Sequence, residues 1–203
     1  MSKQIRQEED IYLAPGVLGR YENGIPVVVD ERNNDERLDP RDLDDKIKIY
    51  TQEVNGWFLE PASDLILQTG FRNSFIVLMV CLAYLEGVEQ YKMGRTSNNQ
   101  SRSFFINSFK RLYPDRFSDT QIGVLYTKAR CGLFHNGMVR GGVIFNNTYD
   151  EPIEFQDNGD TIRINPRLLL EDIKSDFRQY ISELSDSANV TTRQNFNRIF
   201  TVL

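Results

Sequence analysis

The sequence predicts a mostly α-helical fold, an up-and-down helical bundle with a small inserted β-hairpin. Between residues 42 and 184, apolar side chains recur at the three- and four-residue spacing of amphipathic helices. The connections between these segments are short, which favours antiparallel neighbours. One stretch, near residues 142–164, changes to the alternating pattern that is typical of strands.

Three regions are predicted along the 203 residues of the chain. Residues 1–41 form a polar N-terminal arm, because proline and glycine interrupt them repeatedly, and residues 25–29 within it form a short edge strand. Residues 42–185 form the helical domain. The tail, residues 186–203, is polar except for a few apolar side chains, which predict a docking helix.

The first two helices precede residue 93. The first begins near Asp42, where acidic residues favour the positive end of the helix dipole, and is expected to stop at Pro61. The second covers about residues 73–92 and contains the longest apolar run, residues 75–85. That run is too short to span a bilayer and predicts a helix buried on most sides.

The next two helices have clear end signals. The third covers about residues 101–112 and is closed by Pro114. The fourth begins at a capping box made by Ser118 and Gln121. Asn136 and Gly137 are expected to end it with a left-handed cap.

Strand patterns follow the fourth helix. Segments 141–145, 153–155 and 161–164 alternate as strands, and residues 157–160 form a tight turn between the last two. A final long helix is predicted from Pro166 to about Leu184. The hairpin is therefore expected between the last two helices of the bundle.

The composition is that of a soluble globular protein, with 40% hydrophobic and 26% charged residues. The formal charge is −5, whereas proteins that hold long nucleic acids by bulk charge are usually basic. A nucleic-acid role would therefore need a local basic cleft. The N-terminus lacks the apolar core of a signal peptide, which predicts a cytoplasmic protein with no membrane association.

The two cysteines, Cys81 and Cys131, fall in apolar helical patterns and predict reduced residues in a reducing compartment. Together with a single histidine they cannot build a structural zinc site. No metal site and no cofactor is therefore expected.

The single histidine, His135, follows Arg130 with four residues between them, at the predicted end of the fourth helix. Imidazole is the side chain that titrates near neutral pH, and the planar arginine guanidinium suits phosphate. An imidazole that acts as a base, beside a guanidinium that binds phosphate, is the minimum needed to cleave a phosphodiester bond. On a straight helix the two side chains would point about 140° apart, so they converge only where the helix loosens or ends.

An arginine followed by a histidine at the end of a late helix resembles the HEPN superfamily. Arg130 and His135 match its Arg-x4-6-His signature, and the phrase Arg-Cys-Gly-Leu-Phe-His-Asn-Gly-Met resembles uncharacterised bacterial members. The resemblance covers about residues 42–184. Cys131 departs from it, because active members commonly carry Asn or Asp directly after the arginine.

The resemblance implies a homodimer that faces two Arg/His pairs into one cleft, where active members cleave RNA without metal. It also implies a role in toxin–antitoxin or antiviral defence, with a cognate antitoxin protein as a partner. Arg130 and His135 are the predicted catalytic residues. Substrate-binding residues are then expected near them and beside the polar loop at 93–100: Lys92, Arg95, Arg102 and Asn136.

Other interpretations remain open. The family also contains non-catalytic modules that bind a nucleotide or a partner protein, and a structural homodimer without ligand is a third hypothesis. His135 could simply interact with the helix dipole, and Arg130 could form a structural ion pair. Glu86 and Glu89 could face the cleft or form a solvated helix end.

Overall fold

The computed structural model of the protein describes residues 4–68 and 71–203, and its described part contains two β-sheets as well as helices. The predicted fold, a helical bundle with one inserted hairpin, is therefore wrong. The strands are β1 (Ile11–Ala14), β2 (Val17–Glu22), β3 (Ile25–Asp30), β4 (Glu36–Leu38), β5 (Val143–Phe145), β6 (Ile153–Gln156) and β7 (Thr161–Ile164). The α-helices are α1 (Leu43–Val54), α2 (Glu60–Leu67), α3 (Ser74–Met93), α4 (Ser101–Leu112), α5 (Asp119–Leu125), α6 (Cys131–Asn136), α7 (Pro166–Ser185) and α8 (Val190–Ile199).

The described chain divides into two compact units. The first unit comprises the residues up to 61 together with residues 91–95 and 178–203. The second comprises residues 62–90 and 96–177.

An antiparallel sheet in the order β1-β2-β3-β4 occupies most of the predicted N-terminal arm. Two tight turns build it. Gly16 and Gly24 both adopt positive φ, 71° and 78°, at the β1–β2 and β2–β3 connections. Asn23 precedes Gly24 with φ of 50°, so both central residues of the second turn have the positive φ that two-residue hairpins favour.

Residues 25–29 were expected to form an edge strand, but β3 lies inside the sheet between β2 and β4. Pro26 is tolerated there because β4 pairs only with residues 28–30 of β3. At Pro26, β3 pairs with β2 alone, and Tyr21 of β2 lies opposite the proline. The missing N–H therefore removes no hydrogen bond to β4.

The helix that was expected to stop at Pro61 instead continues through it. A wider π-helical turn, Asn55–Leu59, joins α1 directly to α2, and Pro61 is the second residue of α2. Proline removes one backbone donor and crowds the preceding turn, and a π turn is a common way to relieve that crowding. Gly56 lets this turn contact Pro15, since an added Cβ would lie 2.6 Å from the proline ring.

The core of the first unit is aromatic. The buried ring of Tyr50 on α1 lies 5.2 Å from Phe196 and 5.5 Å from Phe200, measured between ring centroids. Phe196 belongs to α8, which lies in the region that was interpreted as a docking tail. Both phenylalanines are almost fully buried, so this segment is part of the core of its unit.

The second unit contains the other sheet. Strands β6 and β7 pair antiparallel, as the predicted hairpin requires. β5 then pairs with β7 in parallel, which gives a three-stranded mixed sheet in the order β5-β7-β6 instead of a simple hairpin. The inward residues Ile153, Ile162 and Ile164 are fully buried.

A polar network is buried among the helices of the second unit. Arg111 on α4 pairs with Asp176 on α7 and lies 3.5 Å from a carboxylate oxygen of Glu89 on α3. Asp176 also accepts a hydrogen bond of 2.8 Å from the Tyr84 hydroxyl. Glu89 is only 6% exposed, so it does not form the solvated helix end that was one of its two predicted alternatives.

α3 is the one helix of the described residues that is long and apolar enough to span a membrane, and half of its apolar window is buried inside the fold. The core helix of a globular unit has the same properties. Cys81 lies on this helix without any exposed surface, and burial raises the pKa of its thiol. Cys81 and Cys131 are both free thiols.

Candidate functional site

The candidate site lies on one continuous helical run, residues 119–136, in the second unit. The predicted capping box at its start is confirmed: the Ser118 hydroxyl accepts from the Gln121 N–H, and the Gln121 side chain accepts from the Ser118 N–H. The predicted left-handed cap at its end is also confirmed, because Gly137 has φ of 70° and donates to carbonyls of α6. Local sequence therefore determines both ends of the run.

A π-helical turn, Tyr126–Arg130, interrupts this run between α5 and α6. Such turns are rare and frequently lie at functional sites. The turn ends at Arg130, and regular α-helix resumes at Cys131. The loosening therefore precedes Arg130 and does not lie between Arg130 and His135.

Arg130 is held by three neighbours. Its Nη2 donates to Glu86 Oε2 on α3 at 2.6 Å, in a pair whose side chains are only 19% and 12% exposed. The guanidinium carbon also lies 5.6 Å from the ring centre of Tyr126 and 4.8 Å from that of Phe134. This position fixes the guanidinium and neutralises much of its charge.

His135 is in a different environment. It is exposed, and within the described residues no hydrogen bond or ion pair holds its imidazole. Because α6 is regular from Cys131 to Asn136, His135 projects about 140° around the helix axis from Arg130. One protomer therefore does not bring Arg130 and His135 together.

The loop after α6 packs tightly against Gly132. An added Cβ at Gly132 would lie 2.7 Å from the Met138 carbonyl oxygen and 3.1 Å from the Arg140 nitrogen. The Arg140 N–H donates to the Lys128 carbonyl at 2.8 Å. Glycine is required here because any side chain would push the loop off the helix.

Tyr126 begins the π turn, and Cys131, its neighbour in space, is the first residue after the turn. Burial, followed by the neighbouring Cys131 thiol, raises the pKa of the Tyr126 hydroxyl above its ordinary value. Cys131 is half-buried beside Arg130, at the position where the resemblance would place Asn or Asp. The polar partner of Tyr126 here is therefore a thiol.

The predicted substrate-binding residues fall into both units. Lys92 and Arg95 belong to the first unit, where Lys92 donates to Glu183 at 3.4 Å and lies 4.2 Å from the ring centre of Tyr180. Arg102 and Asn136 belong to the second unit with Arg130 and His135. The exposed Arg102 has its guanidinium against Gly123 on α5, and Asn136 is exposed at the end of α6.

Two features of the site could not be found from spacing along the chain. Glu86 was only an alternative, and its partner Arg130 is distant in sequence. Arg140 and Lys128 were not predicted at all, although Arg140 belongs to the loop that packs on Gly132 and Lys128 contacts this loop at Gly142. Within the part that the structure describes, no group of three or more His, Cys, Asp or Glu side chains is placed to hold a metal ion.

Comparison of the chain with protein-family models, with curated proteins and with solved structures finds no match. The resemblance to the HEPN superfamily therefore remains a prediction from the Arg130–His135 motif.

Proposed function

We propose that the protein is a metal-independent endoribonuclease of HEPN type, with Arg130 and His135 as its catalytic residues. The observation that carries the proposal is the contrast between the two side chains: an exposed, unengaged imidazole and a guanidinium held in a fixed position on the same helix. Cleavage requires a group that removes the proton from the 2′-hydroxyl and a cation that stabilises the developing charge on the phosphate.

The active unit in this proposal is a homodimer. Arg130 and His135 project from different sides of α6, so a phosphate bound by Arg130 of one protomer must meet His135 of a second copy. A two-fold axis would then create two equivalent composite sites. Each composite site then has one histidine, which takes the 2′-hydroxyl proton as general base, while water protonates the leaving 5′ oxygen.

Mixing two inactive variants tests this arrangement. In a heterodimer of Arg130→Ala and His135→Ala, one composite site loses both groups and the other retains both. We expect the mixture to recover roughly a quarter of the wild-type cleavage rate, since about half of the dimers are mixed and each has one intact site.

The control for this experiment is each variant alone at the same total concentration, with sedimentation velocity to show that the chains exchange and form dimers. A mixture as inactive as its two components, despite demonstrated exchange, would contradict a composite site. A strictly monomeric wild-type protein would contradict it as well.

A non-catalytic module of the same fold, binding a nucleotide or a partner protein, is the second candidate. The Glu86–Arg130 pair favours it, because a carboxylate bound to the guanidinium competes with an incoming phosphate. Wild-type protein that binds RNA but never cleaves it would support this function. The cytoplasmic location, a role in defence and a cognate antitoxin protein remain part of the proposal.

A further inference from the structure

The two sides of α6 differ in charge. Arg130 and Phe134 share one side, where Glu86 neutralises the guanidinium. Gly132 and His135 are three residues apart and are therefore neighbours on another side of the helix. Gly132 is therefore part of the helix surface that adjoins His135.

Arg140 is the residue that contacts Gly132 there. An added Cβ at Gly132 would lie 3.3 Å from Arg140 Cγ and 3.1 Å from its backbone nitrogen. The hydrogen bond from this nitrogen to the Lys128 carbonyl anchors the backbone at that point. The aliphatic part of Arg140 therefore lies against the helix at Gly132, three residues before His135.

The cationic groups of Arg140 and Lys128 are not paired with a carboxylate among the described residues. Arg140 is exposed, and within residues 4–68 and 71–203 its guanidinium forms no ion pair or side-chain hydrogen bond. Lys128 Nζ donates to the Asp160 backbone carbonyl at 2.8 Å, a neutral acceptor that leaves the ammonium charge uncompensated. Arg140 belongs to this loop, and Lys128 Nζ lies 3.1 Å from an added Cβ at Gly142 of the same loop. Among the described residues neither cation has a carboxylate partner, in a chain of net charge −5.

We propose that Lys128 and Arg140 form a phosphate-binding surface beside His135, which takes the phosphodiester backbone of single-stranded RNA. The planar guanidinium of Arg140 can donate two parallel hydrogen bonds to phosphate oxygens, and the ammonium group of Lys128 adds a second positive charge. Arg140 contacts the side of the helix that carries Gly132 and His135, whereas Arg130 binds Glu86 on another side. The identity of the ligand as RNA rests on the proposed function, but the phosphate contact does not require cleavage.

Binding is tested with a fluorescein-labelled single-stranded RNA of twelve nucleotides whose 2′-hydroxyls are methylated, so that it cannot be cleaved through them. We expect Arg140→Ala to weaken binding by about fivefold or more and to lower the slope of log affinity against log salt by about 0.7, the value for one lost phosphate contact on a single strand. Arg140→Lys should recover part of the affinity. Arg167→Ala, which removes an exposed arginine on α7, is the matched control and should bind as wild type.

The NMR resonances of the single histidine provide a second measurement. They would not respond to phosphate if Arg140 had only a structural role. The imidazole resonances of His135 should shift when inorganic phosphate is added to the wild-type protein, and this shift should be lost in Arg140→Ala. Unfolding curves should coincide for Arg140→Ala and wild type, because the side chain is exposed and its backbone hydrogen bond remains.

The outcomes separate the two proposals. Unchanged affinity and an unchanged histidine shift in Arg140→Ala would overturn the phosphate-binding surface, whether or not RNA is cleaved. Loss of binding in Arg140→Ala, in a wild-type protein that never cleaves unmodified RNA, would support the surface while contradicting the proposed nuclease. Wild-type protein that binds neither phosphate nor RNA would overturn both.

Discussion

Replacing His135 with alanine should reduce RNA cleavage by about two to four orders of magnitude, the usual contribution of a general acid or base. Arg130→Ala should reduce it by about two to three orders, because the developing phosphate charge loses its cation. The rates are measured as single-turnover cleavage of a labelled RNA with enzyme in excess. The limiting single-turnover rate should change more than the enzyme concentration that gives half of this rate, since both groups act in the transition state.

Folding controls accompany these variants. His135→Ala should melt like wild type because the imidazole is exposed and, in the part of the chain that the structure describes, forms no hydrogen bond or ion pair. Arg130→Ala leaves the half-buried Glu86 without its partner and so could destabilise the fold. Arg130→Lys is therefore the second variant, because it retains the positive charge but lacks the planar guanidinium that binds phosphate through two hydrogen bonds. Cleavage at the wild-type rate in His135→Ala would remove this residue from the mechanism.

Asp176→Ala should lower the free energy of unfolding by about 3 kcal/mol, the lower end of the cost of breaking a buried ion pair. Asp176 is 11% exposed and binds both Arg111 and the Tyr84 hydroxyl, so its removal leaves a guanidinium that cannot be fully rehydrated. Arg111 is 29% exposed, which is why the lower end applies. Urea unfolding followed by circular dichroism measures the change.

The matched control lies on the same helix. Glu171 pairs with Lys174 at 3.3 Å, but its side chain is 56% exposed. Glu171→Ala should therefore change the free energy of unfolding by no more than about 0.5 kcal/mol. Equal effects of Asp176→Ala and Glu171→Ala would show that the buried network contributes nothing beyond an ordinary surface pair.

Features that depend on local sequence were predicted correctly. The capping box at Ser118 and the left-handed cap at Gly137 each involve residues within five positions of one another. Backbone donors and acceptors at helix ends are satisfied by near neighbours, so spacing alone is enough to identify them.

The N-terminal sheet was missed because its turn residues were interpreted as interruptions. Pro15–Gly16 and Asn23–Gly24 are the positions at which the chain reverses, and the second pair is a strong hairpin signal. The parallel pairing of β5 with β7 is a different case. It joins strands that are separated by another strand and a turn, and no pattern within either strand indicates the direction of its neighbour.

The candidate site was only partly accessible from the sequence. The motif drew attention to Arg130 and His135, but their relative direction depends on where the helix loosens. The π turn lies before Arg130, so the regular helix after it keeps the two side chains apart. The contacts of Arg130 with Glu86 and of Arg140 with Gly132 are tertiary, and residue spacing carries no information about them.

The central claim is that the end of the helical run at residues 119–136 cleaves RNA through His135 without a metal ion. The most direct measurement is incubation of the purified protein with a labelled RNA in excess EDTA, followed by identification of the product ends. The account predicts cleavage that persists in EDTA and leaves 2′,3′-cyclic phosphates, because attack by the 2′-hydroxyl produces that end. Products with 3′-hydroxyl ends, formed only when magnesium is restored, would contradict it, as would intact RNA across varied substrates.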